Sequence, residues 1–269
     1  MKSTSLSKCK QILWPAFLLL SGILTGPHQA SALTSDELNT ISVYERVAPS
    51  VVNITTAVCQ PEFFFCSVPE SGSGSGIVLR EDGTIVTNHH VVENAENILV
   101  ALGDGRRLKA EVIGTAPRED LAIIKVVVGD RPLKAIPIGD SRLLKIGEKI
   151  LVIGNPFGLG RTLTVGTVSM LHRDIKSGTR ILKDLIQTDA SINPGNSGGA
   201  LVSSDGKLMG MSTVIISPTG SSIGLGFGIP SNRITEAAPG LTHNRNKWAG
   251  WILAILIVLW MIRRIYRLK

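Results

Sequence analysis

"LIQTDASINPGNSGGALVSSDGKLMGMSTVII", residues 185–216, contains three short β-rich runs, "LIQTD", "GALVSS" and "KLMGMSTVII". Asp205-Gly206 separates the second run from the third as a hairpin turn, since glycine supplies the positive φ that tight turns need. Between the first two runs lies Gly195-Asn196-Ser197-Gly198-Gly199. Flanking glycines let the backbone turn so that successive N–H groups point at one spot, the geometry an oxyanion needs, with a hydroxyl at its edge. An ordinary glycine turn has the same local sequence, so a catalytic reading needs support from the rest of the chain.

Working outward, similar runs recur: "SVVNITT", "GSGIVLR", "GTIVTN", "NILVAL", "KAEVIG", "LAIIKVVV", "EKILVIG", "LTVGTVSML" and "GLGFGIP". Asp82-Gly83 and Asp104-Gly105 fall between such runs as further hairpin turns. About a dozen strands with no long amphipathic helix between them predict an all-β barrel or sandwich fold. The turn-rich segment "GDRPLKAIPIGDS" (129–141) divides the strands into two groups. Ahead of them, Thr34 and Glu37 form a capping-box pattern, and Leu38, Ile41, Tyr44 and Val47 recur at helical spacing until Pro49. The cluster "SGSGSG" (71–76) lacks the spacing and following helix of a dinucleotide loop. Asn53 starts a glycosylation sequon, but within an apolar strand-like run it is expected to be structural.

The two ends differ from the body. Lys2, Lys8 and Lys10, the apolar "ILWPAFLLLSGIL" (12–24) and Ala30-Ser31-Ala32 make the three-part plan of a secretory signal peptide covering residues 1–32. Trp248 to Ile262 carries no charge and is followed by Arg263, Arg264, Arg267 and Lys269. At the helical rise this stretch reaches only about 22 Å against a hydrocarbon core of ~30 Å. Snorkelling by Lys247 and Arg263, with Trp248, Trp251 and Trp260 at the interfaces, makes up the difference. The expectation is a transmembrane helix over 248–262, a tether over 241–247 and a cytoplasmic tail over 263–269. The net charge of +7 resides in these ends, which hold no acidic residue, so the body is neutral and nucleic-acid binding is not indicated. Basic clusters at both ends are where the positive-inside rule wants cytoplasmic charge, so the body is expected outside the cytoplasm, on the periplasmic or extracytoplasmic side of an inner (cytoplasmic) membrane crossed once. Cys59 and Cys66, in such a compartment, suggest a small disulfide-closed loop, and no metal site is expected from their surroundings.

A serine nucleophile needs a base. His28 lies in the signal segment and His243 in the tether, which leaves His89, His90 and His172. "LHRDIKSG", around His172, is polar and charged and is expected to be a solvated loop. His89 and His90 end a strand-like run in "TNHHVV" (87–92), where neighbours face opposite ways, so at most one enters a given cleft. Asp120 opens the apolar run in "REDLAIIKV", where a buried carboxylate needs a partner.

"TNHHVV", "DLAIIKV", "IGNPFGLGRTLTVGTVS", "QTDASINPGNSGGALV" and "GLGFGIPSN" together resemble the successive signature blocks of the HtrA/Deg serine proteases, a branch of the trypsin-like fold. The resemblance runs from about Val47 to Ile234. It implies two six-stranded β-barrels, about 49–128 and 133–232, within a protease domain over 33–240. It implies His90 as general base, Asp120 as its orienting carboxylate, Ser197 as nucleophile and the N–H groups of Gly195 and Ser197 as oxyanion hole. Ile192 and Ile215 match the specificity-pocket walls, which implies small or medium aliphatic side chains at the cleavage site. Asn196 stands where many digestive relatives of the fold have an aspartate that binds a newly cut N-terminal ammonium; a neutral amide cannot form that ion pair, so no zymogen cleavage is expected. Family members commonly carry PDZ domains after the protease, and only about a dozen residues separate Ile234 from the apolar segment, so none is expected in this chain. "PEFFFCS" (61–67) is expected to contact a neighbouring subunit or substrate, and a homotrimer follows from the resemblance.

The resulting expectation is a membrane-tethered serine endopeptidase acting on unfolded or damaged polypeptides, with no cofactor. Two alternatives remain: a chaperone-like or binding protein on the same fold with little proteolysis, and a site-specific signalling protease.

Overall fold

The computed structural model describes residues 33–58, 70–155, 160–177, 180–215 and 222–242. The signal segment, Cys59, Cys66 and the phenylalanines between them, and the apolar stretch over 248–262 lie outside these residues. Among the described residues no helix is long and apolar enough to cross a membrane.

Among the described residues, twelve strands form two closed barrels. The first contains β1 (Val51–Val58), β2 (Glu70–Arg80), β3 (Thr84–Asn88), β4 (Asn97–Ala101), β5 (Arg107–Ala116) and β6 (Leu121–Val126), in the order β1-β2-β3-β6-β5-β4. The second contains β7 (Lys149–Gly154), β8 (Thr162–Ser177), β9 (Arg180–Thr188), β10 (Ala200–Ser203), β11 (Leu208–Ile215) and β12 (Gly226–Pro230), in the order β7-β8-β9-β12-β11-β10. One connectivity is therefore used twice. The expected hairpin turns occur at Gly83, Gly105 and Gly206, all at positive φ.

Why some strands are apolar on both faces follows from where each face goes. In β6, Ala122, Ile124 and Val126 fill the first barrel, while Leu121 and Ile123 point away from it into a separate cluster. In β7, Ile150 and Val152 fill the second barrel, while Leu151 and Ile153 join that same cluster. Side chains alternate along a strand, so "LAIIKV" and "KILVIG" serve a barrel interior with one face and the seam between barrels with the other. Phe227, Met211, Val86 and Ile77 complete the seam. The cleft that holds the candidate site depends on this seam for its alignment.

Residues up to Leu38 form a unit separate from the body that begins at Asn39. Helix α1 (Ser35–Val47) starts at the capping box, where Thr34 N–H donates to Glu37 Oε2 at 2.7 Å and Glu37 N–H to Thr34 Oγ1 at 3.2 Å. Its later turns bury Val43 and Val47 in the seam cluster. A further helix, over 231–242, is not visible in the sequence pattern and runs into the expected tether. Its Ile234 and Ala238 are buried in the same cluster, which packs this helix against the seam.

Two local expectations need correction. His172 is not in a loop: it lies within β8, its side chain is 82% exposed, and its Nδ1 is 2.5 Å from Asp184 Oδ1. A solvated strand face has the composition of a loop, which is why the two were confused. His89 and His90 do not alternate in an extended strand either. Asn88 is extended (φ −72°, ψ 148°), and the four-residue helix α2 (His89–Val92) begins immediately after it.

Candidate active site

The first barrel supplies two of the three expected catalytic side chains. Pro117–Glu119 forms a single 3-10 turn that delivers Asp120 to the start of β6 with φ 53° and ψ 39°. A left-handed aspartate is tolerated, and such conformations concentrate at functional sites. Asp120 is 3% exposed. Its backbone oxygen accepts from His89 N–H at 3.1 Å and from Asn88 Nδ2 at 3.1 Å, which fixes α2 against the turn. Its carboxylate accepts from His90 N–H at 3.1 Å and faces His90 Nδ1 at 2.8 Å and 3.0 Å. With Nδ1–H donated to Asp120, the other ring nitrogen of His90 is the one able to accept a proton.

Burial by itself would push the Asp120 carboxyl up. The His90 hydrogen bond and charge, the hydroxyl of Thr213 and the His90 N–H outweigh it and hold this acid below the usual carboxylate range. Asp120 therefore faces His90 as a carboxylate at neutral pH.

The second barrel supplies the serine. Gly195 (φ 92°) and Gly198 (φ 82°) bracket Asn196 and Ser197. Ser197 backbone oxygen accepts from Ser75 N–H at 2.8 Å, and Ser75 Oγ donates to Gly195 backbone oxygen at 2.8 Å. Thus the cluster around "SGSGSG" is part of β2 and braces the loop. Glycine is needed at 198 because a Cβ there would collide with the Ser75 carbonyl oxygen. Among the described residues, the N–H groups of Gly195 and Ser197 donate to no backbone oxygen.

Asn196 is 5% exposed. Its Oδ1 accepts from Thr162 Oγ1 at 3.1 Å, and its backbone oxygen from Ser212 Oγ at 2.5 Å. Thr162 thus holds the neutral side chain and Ser212 the backbone of this residue.

Thr213 joins the halves. Its Oγ1 donates to Asp120 Oδ2 at 2.6 Å, and its backbone oxygen accepts from Ser197 Oγ at 3.3 Å. Thr213 is not singled out by any motif, although the Ser-Thr pair inside "MGMSTVII" is a signal, because buried hydroxyls demand partners. Among the described residues no hydrogen bond links Ser197 Oγ to His90. That link is often long or absent before substrate arrives.

His89 faces elsewhere. Its Nε2 is 3.7 Å from Glu93 Oε1, and its Nδ1 is buried without a partner among the described residues. Ile192 is 2% exposed in the second-barrel core. A Cβ on Gly226 would fall 2.8 Å from its Cδ1, so these two positions pack directly together. Ile215 is the last residue of β11. Among the described residues no group of three His, Cys, Asp or Glu side chains could hold a metal.

Two barrels of one connectivity, with an exposed histidine set on a buried aspartate in one and a serine in a glycine loop in the other, define a class. Residues 74–211 match the family described as trypsin-like peptidase domain, and the chain belongs to that family. Within it, the similarity is to HtrA/Deg proteases. The chain is 44% identical over 206 residues to protease Do-like 1 of Arabidopsis thaliana chloroplasts, covering 75% of this chain and 47% of that one. It is 38% identical over 275 aligned positions to the periplasmic serine endoprotease DegP of Escherichia coli K12, covering 87% and 58%. The solved HtrA-type protease AlgW with a tripeptide is 39% identical, with a TM-score of 0.68 over 76% of this chain and 64% of that one. The chain thus spans about half the length of the curated relatives it matches.

Proposed function

We propose that the chain is a serine endopeptidase that cleaves unfolded or damaged polypeptides outside the cytoplasm through an acyl-enzyme. The supporting observation is Thr213, whose hydroxyl binds Asp120 while its backbone oxygen holds the Ser197 hydroxyl, so that nucleophile and orienting carboxylate meet at one residue. In this reading His90 takes the Ser197 proton as Oγ attacks the scissile carbonyl, and Asp120 stabilises the imidazolium that forms. The N–H groups of Gly195 and Ser197 receive the oxyanion. His90 then gives the proton to the leaving amine, and water repeats the sequence in reverse to release Ser197. Ile192 and Ile215 would favour small or medium aliphatic residues at the cleavage site.

The reading extends to the ends of the chain. Residues 1–32 serve as a signal peptide, 248–262 as a single membrane anchor with the protease domain on the periplasmic side, and the assembly is a homotrimer. Cys59 and Cys66 close the loop carrying the phenylalanines. Asn196, already held by Thr162 and Ser212, supports activity without zymogen cleavage.

Degradation of a reduced, unfolded model protein tests this with Ser197→Ala, His90→Ala and His89→Ala. Cleavage by the unsubstituted chain and His89→Ala alone is expected. Binding without cleavage by all four supports the chaperone-like reading. Sparing of generic unfolded chains, with cleavage confined to one partner, supports a signalling protease.

A further inference from the structure

Among the described residues, Arg180 brings a cation to the His90–Asp120 pair from the opposite barrel. Arg180 is the first residue of β9, paired in register with Ser177 at the end of β8. Its Nη1 is 3.7 Å from Asp120 Oδ1, and its Nη2 is 3.2 Å from Glu93 Oε2. Asp120 Oδ1 is also the oxygen that accepts from His90 N–H. Glu93 in turn lies 3.7 Å from His89 Nε2. The sequence His89, Glu93, Arg180, Asp120, His90 is therefore a continuous chain of alternating charge or potential charge. Both histidines of "TNHHVV" are ends of it.

The other charged groups on the packed elements are engaged elsewhere or exposed. Glu119, beside Asp120, is taken by Arg233, and Asp184 on β9 pairs with His172. Arg118 is exposed, and Lys183 contributes its backbone oxygen to Arg233.

A shared guanidinium has a definite electrostatic consequence. His90 becomes cationic when it takes the serine proton, and Asp120 lowers the cost of that charge. Arg180 cancels part of the Asp120 field, and Glu93 cancels part of the Arg180 field. The planar fork of arginine suits two carboxylates at once, whereas an ammonium acts as a single point.

We propose that Arg180 is a positioning residue of the catalytic carboxylate: shared between Glu93 and Asp120, it holds Asp120 from the β8–β9 hairpin and sets the pH at which His90 can act as base. The proposal rests on the protease reading given above.

The test is a pair of substitutions with opposite expected signs, made in the full-length chain. With a short peptide substrate, Arg180→Ala should move the acid limb of the kcat/KM profile to higher pH by about half a unit and lower kcat about tenfold, with KM little changed. Glu93→Gln releases the guanidinium wholly to Asp120 and should move the limb to lower pH. Arg180→Lys should restore the limb but not the full kcat. Combining Arg180→Ala with Glu93→Gln should shrink the Glu93→Gln effect, since Glu93 acts through Arg180.

The same titration can be followed without turnover, from the imidazole carbon signals of labelled histidine in Ser197→Ala, assigned with His90→Gln. Opposite displacements in both readouts support the proposal. Opposite displacements in the carbon signals of a chain that hydrolyses nothing support the Arg180 assignment while ending the protease reading. Displacements of the same sign, no displacement, or strictly additive effects in the double variant overturn it. Glu93→Gln leaves the hairpin residue intact, so loss of folding on Arg180→Ala does not rescue the idea.

Discussion

The two barrels share one connectivity but prepare their parts of the site differently. In the first barrel, His90 and Asp120 are held together by three close contacts, with Asp120 almost fully buried and supported through its backbone oxygen as well. In the second, Ser197 sits in a loop shaped by positive-φ glycines and braced by hydroxyls from Ser75 and Ser212. The His90 half is thus organised around a buried carboxylate, and the Ser197 half by backbone shape. The first should fail through electrostatics without loss of fold, the second through geometry with loss of fold.

The largest expected effect is on the His90–Asp120 contact. Asp120→Asn should lower kcat by about 10⁴-fold, because an amide does not hold the imidazole in the needed tautomer, and far-UV circular dichroism should stay unchanged. Its effect on stability should depend on pH. The folded-state acid is depressed, so its contribution is fully present above the unfolded carboxylate range and is lost as pH falls through the folded value. Thermal unfolding should therefore show Asp120→Asn a few degrees less stable at neutral pH, with the gap closing in strong acid.

Gly198→Ala attacks the other half. Positive φ and the collision with the Ser75 carbonyl should cost about 2–4 kcal/mol in denaturant unfolding and reduce kcat about a hundredfold or more. An active, stable Gly198→Ala would break the contrast between the barrels.

How much of this was legible in the sequence depended on whether a residue's role is local. The hairpin glycines, the apolar runs and the serine loop reveal themselves by their neighbours, and the recurrence of such runs indicated the strands. The roles of Thr213, Ser75 and Arg180 are set by partners far along the chain, and a lone hydroxyl or arginine does not say where its partner lies. His172 shows the converse error, since an exposed strand face and a loop share a composition. The 231–242 helix was obscured by a short, mixed pattern whose buried residues, Ile234 and Ala238, are few.

Thr213→Val sharpens the contrast because this residue serves both halves. Asp120 would keep His90 but lose one donor, so kcat should fall about tenfold, and double-variant cycles with Asp120→Asn should show strong coupling. The smallest effect belongs to His89→Ala, whose ring points at Glu93 rather than into the cleft: peptide hydrolysis at neutral pH should stay within about threefold. A larger loss would mean that the two adjacent histidines are less separate in function than in position.

The most direct test of a triad shared between barrels is labelling of the full-length chain with a serine-reactive organophosphonate, followed by intact mass and peptide mapping. A single adduct on Ser197, formed rapidly by the unsubstituted chain and slowed at least about a hundredfold by either His90→Ala or Asp120→Asn, is the predicted result. Labelling at another residue, or at Ser197 with a rate indifferent to both substitutions, would contradict it.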